Sequence, residues 1–269
     1  ISFVALFGIL SSLGLSNLAT RELLNNPKDS QYIMGTSFVL HLIGALVLIP
    51  LAVFSVSIVR PDSEIIFIMA LIISFTFFLK PFSVIQYWFE SHVQAKNTAT
   101  VAVITGFISV LIKAILIWIE APLIIFAWVV LVESILFAFG LITMYLSKSN
   151  KISTWKVSFE KAKYLLKEAY PLILAGAVYV FLTRIDQVML GSMIGDNSVG
   201  IYAAAVKLSE GWIFIPGIIA TSLFPAMLNA RKKDYSLYLQ RAQHLLNLMA
   251  LLGVVVAIVT MFIASPFVN

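Results

Sequence analysis

The stretch "HLIGALVLIPLAVFSVSIV", residues 41–59, decides the fold, because it runs without a single Asp, Glu, Lys or Arg. An α-helix needs about 20 such residues to cross a hydrocarbon layer roughly 30 Å thick. The other structure able to span a bilayer is a β-barrel, whose strands are about ten residues long and alternate apolar with polar side chains. This run does not alternate, so a transmembrane helix is expected.

Runs of the same kind recur along the chain. The composition is 61% hydrophobic and 12% charged, with a mean hydropathy of +1.00, whereas a soluble domain is about a quarter charged. The fold class is therefore all-α, a polytopic transmembrane helix bundle. Apolar runs between polar breaks predict eight spans, at about 1–19, 34–59, 65–89, 98–119, 122–146, 169–190, 199–225 and 245–268. Pro61, Pro122 and Pro171 fall at or near breaks, where a missing amide donor costs nothing. Pro81, Pro216 and Pro225 fall inside spans and predict kinks. The chain opens on "ISFVALFGIL" without Met or a basic leader and stops at the end of an apolar run, so an internal piece of a longer protein is expected.

Charge outside the spans sets the orientation. "LSKSNKISTWKVSFEKAKYLLKEAY" (146–170) carries Lys148, Lys151, Lys156, Lys161, Lys163 and Lys167 against Glu160 and Glu168. "NARKKDYSLYLQRAQ" (229–243) carries Arg231, Lys232, Lys233 and Arg241 against Asp234. Both belong on the cytoplasmic side, and the base-free "GSMIGDNSVG" (191–200) belongs outside. Counting back, residues 20–33 and 90–97 lie inside, while 60–64 and 120–121 lie outside. Within the first basic segment, Phe159, Ala162, Leu165 and Leu166 have helical spacing. That pattern fits an amphipathic helix on the inner leaflet, and a solvated positive loop is the competing reading. Trp88, Trp118 and Trp155 lie near span ends, as interfacial anchors do.

Seven ionisable residues fall within predicted spans: Lys80, Lys113, Glu133, Arg184, Asp186, Lys207 and Glu210. A charge at mid-bilayer costs roughly 2.5–3.5 kcal/mol on the insertion scale, so such residues normally face protein or water. Glu133 and Glu210 are near the centres of their spans, and Lys80, beside the predicted kink at Pro81, is close to the centre of its own. Arg184, Asp186 and Lys113 lie nearer the outer ends and are within snorkelling reach of the interface. Lys207 and Glu210 are three apart and have the spacing of a private ion pair. Arg184 and Asp186 are two apart and do not face each other. The bases lead the acids by one, which describes a wet path for something anionic, with Asp186, Glu133 and Glu210 as counter-ions or ion-coupling acids.

The search for other chemistry is negative. His41, His92 and His244 have no partners at metal-ligand spacing and read as packing or helix-end residues, so neither metal nor cofactor is expected. There is no cysteine and no Walker-type phosphate loop, and the carboxylate-bearing outer loops are too short to house a glycosyltransferase site. An enzyme is not expected.

Five passages carry a family resemblance: "LGLSNLATREL" (13–23), "QYWFESHVQAKNTAT" (86–100), "AKYLLKEAYPLILAG" (162–176), "RIDQVMLGSMIGDNSVGIYAAAVKLSE" (184–210) and "IPGIIATSLFPAM" (215–227). In this order, they resemble the O-antigen and related repeat-unit flippases of the multidrug/oligosaccharidyl-lipid/polysaccharide transporter superfamily. The resemblance implies two pseudo-symmetric six-helix lobes, in roughly twelve to fourteen helices, around a cavity open to one side at a time. On that map residues 1–146 are the N-terminal lobe lacking its first helix, 147–168 a cytoplasmic basic linker, and 169–269 the first half of the C-terminal lobe. The implied substrate is an oligosaccharide on a polyprenyl pyrophosphate, flipped from the inner to the outer leaflet of the bacterial cytoplasmic membrane. The bilayer, a polymerase and other polysaccharide-assembly proteins are the implied partners, and nucleic acid is not. Arg184 and Lys207 lie in the matching passage as cavity cations, and Lys80 and Lys113 join them on grounds of depth. The alternatives are a multidrug or organic-cation antiporter of the same superfamily, which would want a cavity dominated by acids, and a membrane scaffold that transports nothing.

Overall fold

The computed structural model describes Phe7 and residues 14–59, 63–212, 215–216, 219 and 235–268. The predicted span at 1–19 lies largely outside the described residues, as does the later part of the one at 199–225, including Pro225. The regular elements are α1 (Leu15–Asn25), α2 (Ser30–Val59), α3 (Glu64–Ser74), a 3-10 stretch (Phe75–Ser83), α4 (Val84–Ser91), α5 (Ala95–Trp118), α6 (Leu123–Ser147), α7 (Phe159–Met193), α8 (Asp196–Glu210) and α9 (Tyr235–Val268), with short 3-10 turns at Pro27–Asp29 and Ile152–Thr154. Among the described residues there is no strand, and six segments are long and apolar enough to cross a membrane. The protein is a multi-pass, all-α membrane bundle. The spans predicted at 34–59, 65–89, 98–119, 122–146, 169–190 and 245–268 are all present as helices.

The chain forms two compact units, Ile1–Val188 and Met189–Asn269. In the first, the helices are packed as lipid requires. Apolar side chains gain nothing by leaving hydrocarbon, so contacts between helices are made by small and hydroxyl-bearing residues that let backbones approach. Along α5 the buried positions are Thr98, Val101, Thr105 and Ser109, one turn apart, while Val103, Phe107 and Val110 are exposed on its outer face. Gly140 on α6 completes the contact, since a Cβ there would meet Val101 Cγ1 at 2.6 Å.

Prolines act in three ways. Pro122 is the extended residue just before α6, where its missing donor is harmless. Pro81 lies inside the 3-10 stretch that breaks the α3–α4 span. Its ring excludes the amide from the i→i−4 ladder and clashes with the carbonyl four residues back, so the predicted kink takes the form of nine residues of tighter winding. Pro171 departs from expectation: α7 runs through it as one helix of 35 residues. The segment 159–168 is consequently the first part of a long helix and not a separate helix on the leaflet. Leu165 and Ala169 are buried against Leu15, Leu18 and Leu40, and this packing holds the helix across the proline. Phe159, by contrast, is 86% exposed.

The basic segment before α7 is bound tightly to α2. Lys156 N–H donates to Gln31 O (3.0 Å) and Ser158 N–H to Thr36 Oγ1 (3.1 Å). Further contacts gather at the same end: Lys161 pairs with Asp29 at 2.7 Å, Arg21 lies 3.6 Å from Glu168, and Tyr164 and Asn26 each donate to the buried Glu22 at 3.1 Å. Thr20 donates to Glu90 across 3.2 Å. Residues 20–36, 86–92 and 145–168 therefore share one end of the first unit, as the predicted alternation of spans requires. Trp88 and Trp155 belong to this end as packing residues and not as free anchors. Trp155 Nε1–H donates to Tyr145 Oη (3.2 Å), and Trp88 packs edge-on against the same Tyr145 ring. Trp118, at the opposite end of α5, is 85% exposed, as an interfacial anchor would be.

Candidate functional site

The tight winding around Pro81 prepares the site. A 3-10 helix turns once every three residues, so positions three apart are eclipsed. Thr76, Leu79 and Phe82 form one row and Lys80 and Ser83 the next, which Gln86 of α4 extends. Both rows line a cleft of about 420 Å³. Its other walls are Ala102 and Thr105 of α5 and Val130, Glu133, Ser134, Phe137, Ala138 and Leu141 of α6. The lining is mixed on both sides: Lys80, hydroxyls and an amide beside Leu79 and Phe82 on one, and Glu133, Thr105 and Ser134 among aromatic and aliphatic surface on the other.

Lys80 is exposed at this cleft and has neither an ion-pair nor a hydrogen-bond partner among the described residues. An ammonium held at membrane depth without a protein anion needs water or a ligand around it. Glu133 is different. Its carboxylate is 3.0 Å from Lys113 Nζ on α5 and also accepts from Ser109 Oγ. Lys113 thus makes an ion pair between helices, and the acid on the cleft wall is already compensated. The Lys113–Glu133 pair predicts a specific outcome. Glu133→Gln strands Lys113 and should lower stability by about 1–2 kcal/mol, whereas Lys113→Met combined with it should restore most of the loss. Thermal unfolding in detergent of both single variants and the double variant measures this, and equal effects in the single and double variants would count against the pair.

Of the seven predicted residues, the structure brings Lys80 and Glu133 to one cleft and places Lys113 against Glu133. Arg184 and Asp186 lie half-buried on α7, outside the lining of that cleft, and both have partners; Asp186 Oδ1 accepts the Gln187 N–H at 2.8 Å. In the second unit, Lys207 is exposed on α8 and forms no ion pair among the described residues, so the private pair with Glu210 is not made. Glu210 is half-buried and has a partner elsewhere.

Thr76, Ser83, Gln86, Thr105 and Ser134 are neutral polar wall residues that charge-based reading of the sequence passes over. The signal for Thr105 is periodic: Thr98, Thr105, Ser109 and Lys113 recur every four to seven residues on α5, marking its inward face.

A family model described as "Polysaccharide biosynthesis protein" matches residues 1–231. The chain belongs to that family. No curated protein and no solved structure matches it. The match covers the whole of the first unit and includes the cleft, the basic segment and all seven intramembrane charges. Members of the polysaccharide biosynthesis family are membrane transporters and not enzymes, and the resemblance seen in residues 13–23 through 215–227 is to the same family.

Proposed function

We propose that the protein flips an oligosaccharide repeat unit, linked to a polyprenyl pyrophosphate, from the inner to the outer leaflet of a bacterial cytoplasmic membrane by alternating access. The observation that carries this reading is the uncompensated ammonium of Lys80 at a cleft in a membrane-embedded polysaccharide biosynthesis protein. A pyrophosphate cannot enter hydrocarbon unaided, and a cation beside hydroxyl and amide groups offsets its desolvation while the lipid tail stays in the bilayer. Glu133 does not reverse the sign, because Lys113 compensates it. That balance favours an anionic cargo over the organic cations of multidrug antiporters. An unpaired charge at a cleft also has no use in an inert scaffold.

In this reading residues 147–168 join an N-terminal lobe to a C-terminal one, and their lysines face the cytoplasm. Arg184 and Lys207 are further cations for the head group, and Asp186, Glu133 and Glu210 are the acids for ion coupling. Polymerase and other assembly proteins would receive the flipped unit. The test is reconstitution: the full-length protein in liposomes carrying a fluorescent polyprenyl-pyrophosphate disaccharide. Expected is protein-dependent movement of the label beyond reach of an external quencher, reduced in Arg184→Ala and Lys207→Ala. Label that stays in its original leaflet with active protein present would end the proposal.

A further inference from the structure

The cleft has a second polar connection, which leads away from it into the protein. Ser83, on the cleft wall, donates its hydroxyl proton to Tyr87 Oη at 3.1 Å. Tyr87 Oη lies 3.4 Å from His41 Nε2. On the far side of the ring, His41 Nδ1 is 2.7 Å from Ser37 O. A carbonyl can only accept, so Nδ1 carries the proton and Nε2 of the neutral ring presents its lone pair to the tyrosine hydroxyl. Every donor in the row then points one way, from Ser83 through Tyr87 to His41. His41 is completely buried and Tyr87 is 4% exposed, so this row is the imidazole's connection to the cleft.

From this geometry we infer that His41 is a proton-binding site of the transport cleft, reached through Ser83 and Tyr87. The transfer balances without a co-reactant. A proton enters at Ser83 from cleft water as the serine proton passes to Tyr87 and the tyrosine proton to His41 Nε2, leaving an imidazolium held by Ser37 O and Tyr87 Oη. Among the described residues the charged neighbours are few. The Lys80 ammonium on the 3-10 stretch repels an imidazolium at His41 and so opposes its protonation, and Glu90 acts on Tyr87 from α4. On α1, Arg21 and Glu22 are engaged with Glu168, Tyr164 and Asn26, and residues 1–20 contain no ionisable side chain. An imidazolium adds its charge to that of Lys80 and makes the cleft hold an anion more strongly, and releasing the proton loosens it. This would give the cleft of the proposed flippase a proton-linked grip, but the proton site does not depend on the identity of the cargo.

The experiment is histidine-selective 15N NMR of the full-length protein in nanodiscs, with the His41 signal assigned by its loss in His41→Gln. The expected spectrum is the neutral Nδ1–H tautomer, converting to imidazolium on acidification. Proton exchange at His41 should be at least roughly tenfold slower in Tyr87→Phe and Ser83→Ala, while His92 and His244 keep their rates. Tyr87→Phe retains the ring and its packing, so a slowed rate in a protein of wild-type thermal stability reports the hydroxyl and not misfolding. Unchanged exchange in both variants would overturn the route. A ring that shows no imidazolium at any pH at which the protein stays folded would overturn the site. No cargo enters the measurement, so a failed reconstitution and a failed proton site are separate results.

Discussion

Replacing Lys80 with Gln is expected to reduce lipid-linked glycan translocation about tenfold or more, with the protein still in the membrane at its normal level. A hydrogen bond to a charged group contributes about 1.5–3 kcal/mol, and each 1.4 kcal/mol is a factor of ten. Lys80 has no protein anion among the described residues, so its removal strands no counter-charge and should leave folding intact. Lys80→Arg retains the charge and should keep much of the activity, although the wider guanidinium needs room in the cleft. Surface glycan display and membrane abundance, measured together, check the prediction. Normal display in Lys80→Gln would remove the cation from the mechanism.

The second large effect is structural. A Cβ on Gly35 would stand 2.4 Å from the Lys156 carbonyl oxygen and 2.8 Å from its carbon and nitrogen, all of them backbone atoms. Relief requires the basic segment to lift from α2 by about 1 Å, which breaks the Lys156–Gln31 and Ser158–Thr36 hydrogen bonds. Gly35→Ala should therefore destabilise the first unit by about 2–4 kcal/mol. Thermal unfolding followed by tryptophan fluorescence would register it, since Trp155 lies in the displaced segment. Gly106→Ala, where an added Cβ meets nothing within 4 Å, is the matched control and should be silent. Equal stability of the two variants would mean that the segment is not clamped at Gly35.

The spans were legible because hydrocarbon imposes length and apolarity on any helix that crosses it, and "HLIGALVLIPLAVFSVSIV" meets both demands without help from other helices. Pro81 and Lys80 were legible for a related reason: a missing donor and a charge at depth are both expensive, and their adjacency pointed to one disturbed place in the bundle. The partner of Lys113 was not legible. Glu133 is on the next helix, and which turn of α5 meets which turn of α6 is decided by side chains such as Gly140 and Val101 fitting together. Pro171 misled because a proline costs a helix one hydrogen bond and a clash, a local penalty that the burial of Leu165 and Ala169 outweighs. His41 read correctly as a packing residue, but its connection to Ser83 crosses from one helix to another and has no trace in linear spacing.

The nine-residue 3-10 stretch also sets how far its span reaches. At about 2.0 Å per residue against 1.5 Å for an α-helix, it adds roughly 4–5 Å, so the 28 residues Glu64–Ser91 extend about 46 Å. That exceeds by half the hydrocarbon depth of an average bilayer, and the surplus must be taken up by lean or by emergence at the surfaces. Membranes of different thickness would then set Lys80 at different depths, making lipid chain length a control on where this cation resides.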